Sequence, residues 1–228
     1  MKRIFVFGAG GHGKVVADIL LTARLTGVAG FVDDNERLKG TKVIGLPVFG
    51  NSEWLQAEAS TGKVAVALGI GENRLRQKIA ERCLSWGIEL ITAVHPSAVL
   101  SRSSRVGIGT TIMAGAVLNP DSLVGCGVIV NTGAVVEHDT LVGDYAHISP
   151  NATMGGGARL GWQAHLGLGA IVLPGISVGD AAIVGAGAVV VEDLPDNVIA
   201  MGVPARVHRK VEEQKYETNT AFRSAYER

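Results

Sequence analysis

Cysteine is scarce in this chain. Cys83 and Cys126 are the only two in 228 residues, with no CxxC pair and no Cys/His cluster of zinc spacing. That excludes a disulfide framework and a structural zinc module. Aromatic residues make up 5% of the chain, too few for a core built on rings. Net charge is absent as well: 21 basic residues balance 21 acidic ones, which leaves no basic footprint for nucleic acid. No apolar run approaches the length of a membrane span. The opening MKRIFVFGAGG reads as a strand entering a glycine turn rather than a signal peptide, so a reducing cytoplasm is the expected setting.

What the chain does have is a repeat. From Val94 to Val190 an apolar side chain returns every sixth residue, through Leu100, Val106, Ile112, Leu118, Val124, Val130, Val136, Val142, Ile148, Met154, Leu160, Leu166, Val172, Val178 and Val184. Four residues after most of these stands an alanine, as at Ala116, Ala134, Ala146 and Ala152. Gly107, Gly125, Gly143, Gly161 and Gly179 mark a second period of eighteen. A six-residue repeat predicts a parallel β-helix, with three hexads closing one triangular coil. The apolar column fills the axis, the small column sits near the corners, and glycine after the apolar residue supplies freedom for a sharp bend. One coil cannot bury its own interior, so about five or six must stack. A valine-rich sandwich would not hold one register this long.

The first ninety residues carry a different pattern. Residues 2–7 read as a buried strand, followed by Gly8-Ala9-Gly10-Gly11-His12-Gly13-Lys14, a helix from Val15 to about Ala23, and a strand Val28–Val32 ending in Asp33-Asp34. Gly8, Gly10 and Gly13 fit a GxGxxG phosphate turn with an acidic residue about twenty positions on. The same stretch fits GxxxxGK, but Val15 stands where Ser or Thr must hold magnesium, which argues against an ATPase. A short helix at Ser52–Glu58, a strand Val64–Leu68, a helix from Arg74 to about Trp86 and a last strand Ile88–Ala93 complete a truncated Rossmann-like sheet of roughly four strands. A full dinucleotide domain needs two such halves, so an NAD-dependent enzyme is disfavoured.

The hexad run resembles the hexapeptide-repeat acyltransferases, and the left hand of the β-helix follows from that resemblance. Gly8–Lys14, Phe31–Asp34, Asn131–Asp139 and Gly202–Arg206 narrow it to a subgroup: the bacterial N-acetyltransferases of nucleotide-linked 4-amino sugars of the bacillosamine and perosamine pathways. The sialic-acid O-acetyltransferases share the layout. The expected fold is therefore an α/β Rossmann-like domain over 1–93 and an all-β left-handed parallel β-helix over 94–207, with a charged tail over 208–228 read as a short helix or loose segment. The resemblance implies a homotrimer with acetyl-CoA in the cleft between prisms. It also implies a nucleotide sugar gripped by Gly10, Gly11, His12, Asp33, Asp34 and Asn73.

Acyl transfer to an amine needs a base for the nitrogen's proton and a donor for the charge gathering on the thioester oxygen. His138 stands two residues after the inward Val136, near a corner, and Asp139 beside it can fix its tautomer. The subgroup carries its general base in such an EH-D/E run. His147 and His165 are eighteen residues apart, hence in one column on adjacent coils, with Ile129 below and Ile183 above. By resemblance His147 lies near the acetyl group, as donor or cleft wall, and His165 is a weaker candidate. Asn131 and Thr132 are expected near the substrate, with a structural part for the asparagine equally open. The resemblance places CoA along His147, Gly155, Gly156, His165, Gly167 and Gly185, with Pro204 and Arg206 at the closing segment. Gly155-Gly156-Gly157 would let the pantetheine arm pass close to the backbone, looser corner packing being the other account. His95 is expected to serve the domain junction.

The expected reaction is direct acetyl transfer from acetyl-CoA, without metal, to the 4-amino group of a UDP- or GDP-linked sugar. Three alternatives stand beside it: O-acetylation of sialic acid or a related sugar, a non-catalytic sugar-nucleotide scaffold, and a zinc-bearing γ-carbonic anhydrase using His138, His147 and His165. The last would leave the N-terminal domain and the GxPA closure unexplained.

Overall fold

A computed structural model describes residues 2–211. β1 (Arg3–Phe7), α1 (Gly11–Thr22), β2 (Val28–Val32), β3 (Lys42–Val43), β4 (Leu46–Gly50), α2 (Ser52–Ala59), β5 (Val64–Leu68), α3 (Asn73–Ser85) and β6 (Glu89–Leu90) form the N-terminal unit. Its sheet runs β3-β4-β2-β1-β5-β6, parallel except for the β3–β4 hairpin. That is six strands where four were expected. The two extra ones are the hairpin strands β3 and β4, of which β3 is only two residues long, too short to leave a hydrophobic period. The expected last strand over 88–93 is split: Glu89–Leu90 pairs with β5, while Ala93–Val94 already belongs to the prism.

The prism is the parallel β-helix that the hexads predict, with the left hand that the resemblance implies. Its first face stacks Ala93–Val94, Thr111–Ile112, Ile129–Val130, His147–Ile148, His165–Leu166 and Ile183–Val184. The second carries Val99–Leu100 up to Val189–Val190, and the third Arg105–Val106 up to Ser177–Val178. Apolar and alanine columns are equally buried in one core, from Ile112 and Ala116 to Ala188 and Val190.

The corners are made differently from expectation. From Val106 to Val184 the left-handed residue is the third after the inward side chain: Gly109, Gly115, Asp121, Gly127, Gly133, Asp139, Tyr145, Asn151, Gly157, Gln163, Gly169, Gly175, Ala181 and Gly187 all have φ between 51° and 73°. The glycine directly after the inward residue has no such φ. It is required because coils approach closely there. A Cβ on Gly143 would lie 2.6 Å from the amide nitrogen of Trp162. In the space beside it Asp144 accepts from the amide of Cys126 at 2.7 Å, one coil below.

The two units share a core. Val16, Ala17, Ile19 and Leu20 of α1 pack with Ala93, Met113 and Ile129 of the first face. On the other side of the sheet, Ile79, Ala80 and Cys83 of α3 pack with Tyr145 at the corner between the third and first faces. Beyond the prism, Val198–Met201 adds to the first face and Arg206–Lys210 pairs with it antiparallel. The start of the expected loose tail is thus a strand, held by the last coil; the rest of that expectation, over 212–228, lies outside the described residues. Among the described residues no helix is long and apolar enough to cross a membrane.

Candidate active site

The hexad rule places His138 at the corner between second and third faces, immediately before left-handed Asp139 (φ 59°). That conformation turns the aspartate back on its neighbour, and His138 Nδ1 lies 2.7 Å from Asp139 Oδ2. A carboxylate only accepts, so Nδ1 carries the proton and Nε2 keeps its lone pair. The ring is exposed, and its hydrogen bond to Asp139 is the main cause that raises its pKa above the ordinary histidine value. Gly156, one coil up, makes room for it: a Cβ there would sit 2.6 Å from both Cε1 and Nε2. Gly155 gives way to Pro174, and Gly157 is a left-handed corner (φ 68°). Gly155 and Gly156 therefore have a packing reason, and Gly157 a conformational one.

His147 and His165 stack on the first face, ring centroids 4.6 Å apart and planes within 2°. His147 Nε2 meets Asn131 Nδ2 at 3.1 Å, and His165 Nε2 meets Ser149 Oγ at 2.8 Å. Burial, with His165, Arg76 and His12 nearby, holds the His147 pKa down to about 2; burial and Arg76 also lower His165. Thr132 turns its hydroxyl toward Met113 Sδ at 3.8 Å.

The phosphate-turn glycines divide by role. Gly8 (φ 103°) and Gly13 allow close approach, a Cβ on Gly13 falling 1.8 Å from Gly8 O, whereas Gly10 and Gly11 face open space. α1 starts at Gly11, not Val15, so His12 is in its first turn. His12 Nε2 is buried without a hydrogen-bond partner, and burial with Arg76 brings its pKa down to about 4. A buried polar atom left open in this way fits a site that receives a polar ligand group. Asp33 accepts from the amides of Ala9 and Asn35 at 2.8 Å each, and Asp34 from the amide of Ser52 at 2.7 Å. Both carboxylates therefore shape the loop floor.

Asn73 is not at the open side of that loop. Its amide donates to Gln163 O at 2.9 Å and its Oδ1 accepts from Arg76, so it is held in the junction between the two units. Arg76 is the residue that the sequence reading missed. Fully buried, it donates to Gly127 O (2.6 Å), Tyr145 O (2.7 Å), Ala146 O (3.2 Å), Ile70 O (3.2 Å) and Gly71 O (3.0 Å). Burial lowers its pKa to about 9. His95, expected at the same junction, accepts locally from the amide of Ser97 at 3.0 Å.

At the far end of the prism, Gly167 and Gly185 leave no room for a side chain, against Ala186 and Met201 respectively. Val203–Pro204 is cis, and Arg206 pairs with Glu192 at 2.9 Å on the exposed surface. A cavity of about 670 Å³ lies between α3 and the third face and does not include His138. No group of three His, Cys, Asp or Glu among the described residues could hold a metal ion.

In one chain these pieces do not converge. The N-terminal unit, His12 and the histidine stack are on or beside the first face, and His138 is at the corner opposite it.

Known proteins share this arrangement. The family model of the PglD N-terminal domain matches residues 3–83. The chain is 37% identical over 122 residues to UDP-N-acetylbacillosamine N-acetyltransferase of Bacillus subtilis, covering 50% of this chain and 52% of that protein. It spans about half the length of the curated relatives it matches. Structural likeness extends further. PerB from Caulobacter crescentus, solved with CoA and GDP-perosamine, is 43% identical with a TM-score of 0.85, covering 91% of this chain and 97% of that one. The acetyltransferase domain of PglB from Neisseria gonorrhoeae, solved with acetyl coenzyme A, is 37% identical with a TM-score of 0.84, covering 90% and 98%. With likeness at that level over nearly the whole of both chains, this chain belongs to the hexapeptide-repeat family of nucleotide-amino-sugar N-acetyltransferases.

Proposed function

We propose that the protein transfers an acetyl group from acetyl-CoA to the 4-amino group of a UDP- or GDP-linked amino-deoxy sugar, for bacterial glycan synthesis. The observation that carries this reading is the His138–Asp139 pair: a histidine whose Nδ1 is held by a carboxylate and whose Nε2 lies free over Gly156. Nε2 takes the proton of the amine as its nitrogen bonds to the acetyl carbon. The C–S bond then breaks, and the same nitrogen returns the proton to the departing thiolate. Acetyl-CoA supplies the activated acyl group, so no acyl-enzyme is needed. His147 faces the acetyl oxygen as a neutral donor, where negative charge gathers. The open glycines Gly10 and Gly11 and the unpaired His12 Nε2 receive the nucleotide's phosphates, with Asp33 and Asp34 behind them. His165, Gly167 and the Pro204–Arg206 segment border the CoA arm.

Because His138 and the first face point apart within one chain, the cleft is completed by a second copy, and we read the assembly as a homotrimer. An aliphatic column on the second face, interrupted by Thr153, supports this: Val99 is 60% and Ile171 40% exposed, in line with half-buried Val117, Val135 and Val189. A cytoplasmic setting, where acetyl-CoA is available, accompanies the reading.

A thiol assay of CoA release over UDP-, GDP- and dTDP-linked 4-amino sugars and free sialic acid tests it. Fast release with one 4-amino nucleotide is expected. Release with sialic acid alone would move the enzyme to O-acetylation, and silence with retained sugar-nucleotide binding would favour a scaffold.

A further inference from the structure

We propose that Asn131 is a positioning residue that fixes the tautomer of His147, so that the imidazole presents Nδ1–H, and never a bare lone pair, on that side of the ring. The inference deepens the donor role given to His147 above and rests on it for its consequence, though not for its geometry.

Three contacts carry the argument. Asn131 Oδ1 accepts from the amide of Thr132 at 2.8 Å. A flipped side chain would set its NH2 against that N–H, two donors facing each other, so the hydrogen-bond network fixes which end is oxygen. The amide nitrogen then points at His147 Nε2, 3.1 Å away. An NH2 group cannot accept, so Nε2 is the acceptor. A neutral imidazole has one N–H, and here it must be on Nδ1.

The surroundings hold the ring in that state. Burial and the neighbours Arg76, His12 and His165 disfavour the doubly protonated form. The parallel face of His165 at 4.6 Å sets the ring plane. One coil up, the equivalent partner of His165 is the Ser149 hydroxyl, which can donate or accept and selects no tautomer. The restriction belongs to the asparagine.

Asn131→Asp separates this role from a structural one. It is nearly isosteric, still accepts from Thr132 N–H and still bonds His147, but a carboxylate can only accept from Nε2 and so moves the N–H to that nitrogen. Nitrogen NMR of the histidine-labelled wild type, assigned with His147→Gln, should show His147 protonated at Nδ1 and bare at Nε2. Asn131→Asp should invert the pattern and lower kcat by roughly thirtyfold or more, with KM within about threefold and an unchanged melting temperature. Asn131→Gln, which restores an amide, should recover part of kcat. A wild-type His147 protonated at Nε2 would overturn the proposal. So would an Asn131→Asp variant that inverts the tautomer and keeps full kcat. The NMR result needs no substrate, so it stands or falls apart from the acetyltransferase reading. Full activity in His147→Gln would instead remove the donor role on which the kinetic consequence depends.

Discussion

The His138 ring fills the space that a side chain on Gly156, one coil up, would need. A Cβ built on the glycine lies 2.6 Å from Nε2 and Cε1 of the imidazole. Because the ring is exposed and can swing away, Gly156→Ala should cost little stability while displacing the base. We expect kcat/KM to fall by roughly tenfold to a hundredfold with a melting temperature within about 2 °C of wild type. Thermal unfolding beside steady-state kinetics checks this, and an unimpaired Gly156→Ala would contradict the placing of His138 over Gly156 during turnover.

Activity should follow the protonation of His138. The hydrogen bond that His138 donates to Asp139 raises its pKa, and the base works only when neutral. The rate therefore falls as pH drops through that raised value. In Asp139→Asn the acid limb should move to lower pH, toward about 6.5, while the plateau drops about tenfold or more because the tautomer is no longer held. A kcat/KM profile of both proteins is the check; an unmoved acid limb would assign it to another group.

Stability should show the opposite group of histidines. His12 and His147 have folded pKa values lowered to about 4 and about 2, and His165 is lowered too. The unfolded chain takes up protons near pH 6.5, whereas the folded chain refuses them, so stability is lost as pH falls below that value toward the folded values. The melting temperature should drop by several degrees from pH 7.5 to 5. The drop should be smaller in His147→Gln, by roughly 5 °C. Equal drops in the two proteins would mean that His147 is protonated in the fold.

The junction gives a contrast between neighbours on α3. Arg76→Met leaves carbonyls of Gly127, Tyr145 and Ala146 without their donor in a buried place, and should destabilise by at least ~3 kcal/mol in denaturant titration. Asn73→Ala should lower stability by about 1 kcal/mol and leave the KM for the nucleotide sugar unchanged. A raised KM in Asn73→Ala would return that residue to the substrate.

Much of this was legible in the residues because the prism repeats itself. A spacing of eighteen put His165 over His147, and the two between Ile129 and Ile183, and the pairing follows that register. The same regularity put His138 and Asp139 on a corner. What the repeat does not encode is contact across units. Arg76 sits in an ordinary polar helix pattern, and its acceptors at Gly127 and Tyr145 lie 51 and 69 residues away. The junction contacts of Asn73 were hidden for the same reason, since a GxGxN turn does not say which wall its side chain meets. The glycines were assigned to bends because glycine is the usual left-handed residue. In this prism the bends accept Asp139, Tyr145 and Asn151, and glycine after the inward residue answers to close backbone approach.

The central claim is that His138 is the base of a direct acetyl transfer. It is tested most directly by CoA release with a 4-amino nucleotide sugar, comparing wild type and His138→Ala together with the affinity of each for that sugar. The account predicts kcat lower by about a thousandfold or more with affinity kept within about threefold. A His138→Ala enzyme that turns over within a few-fold of wild type would contradict it.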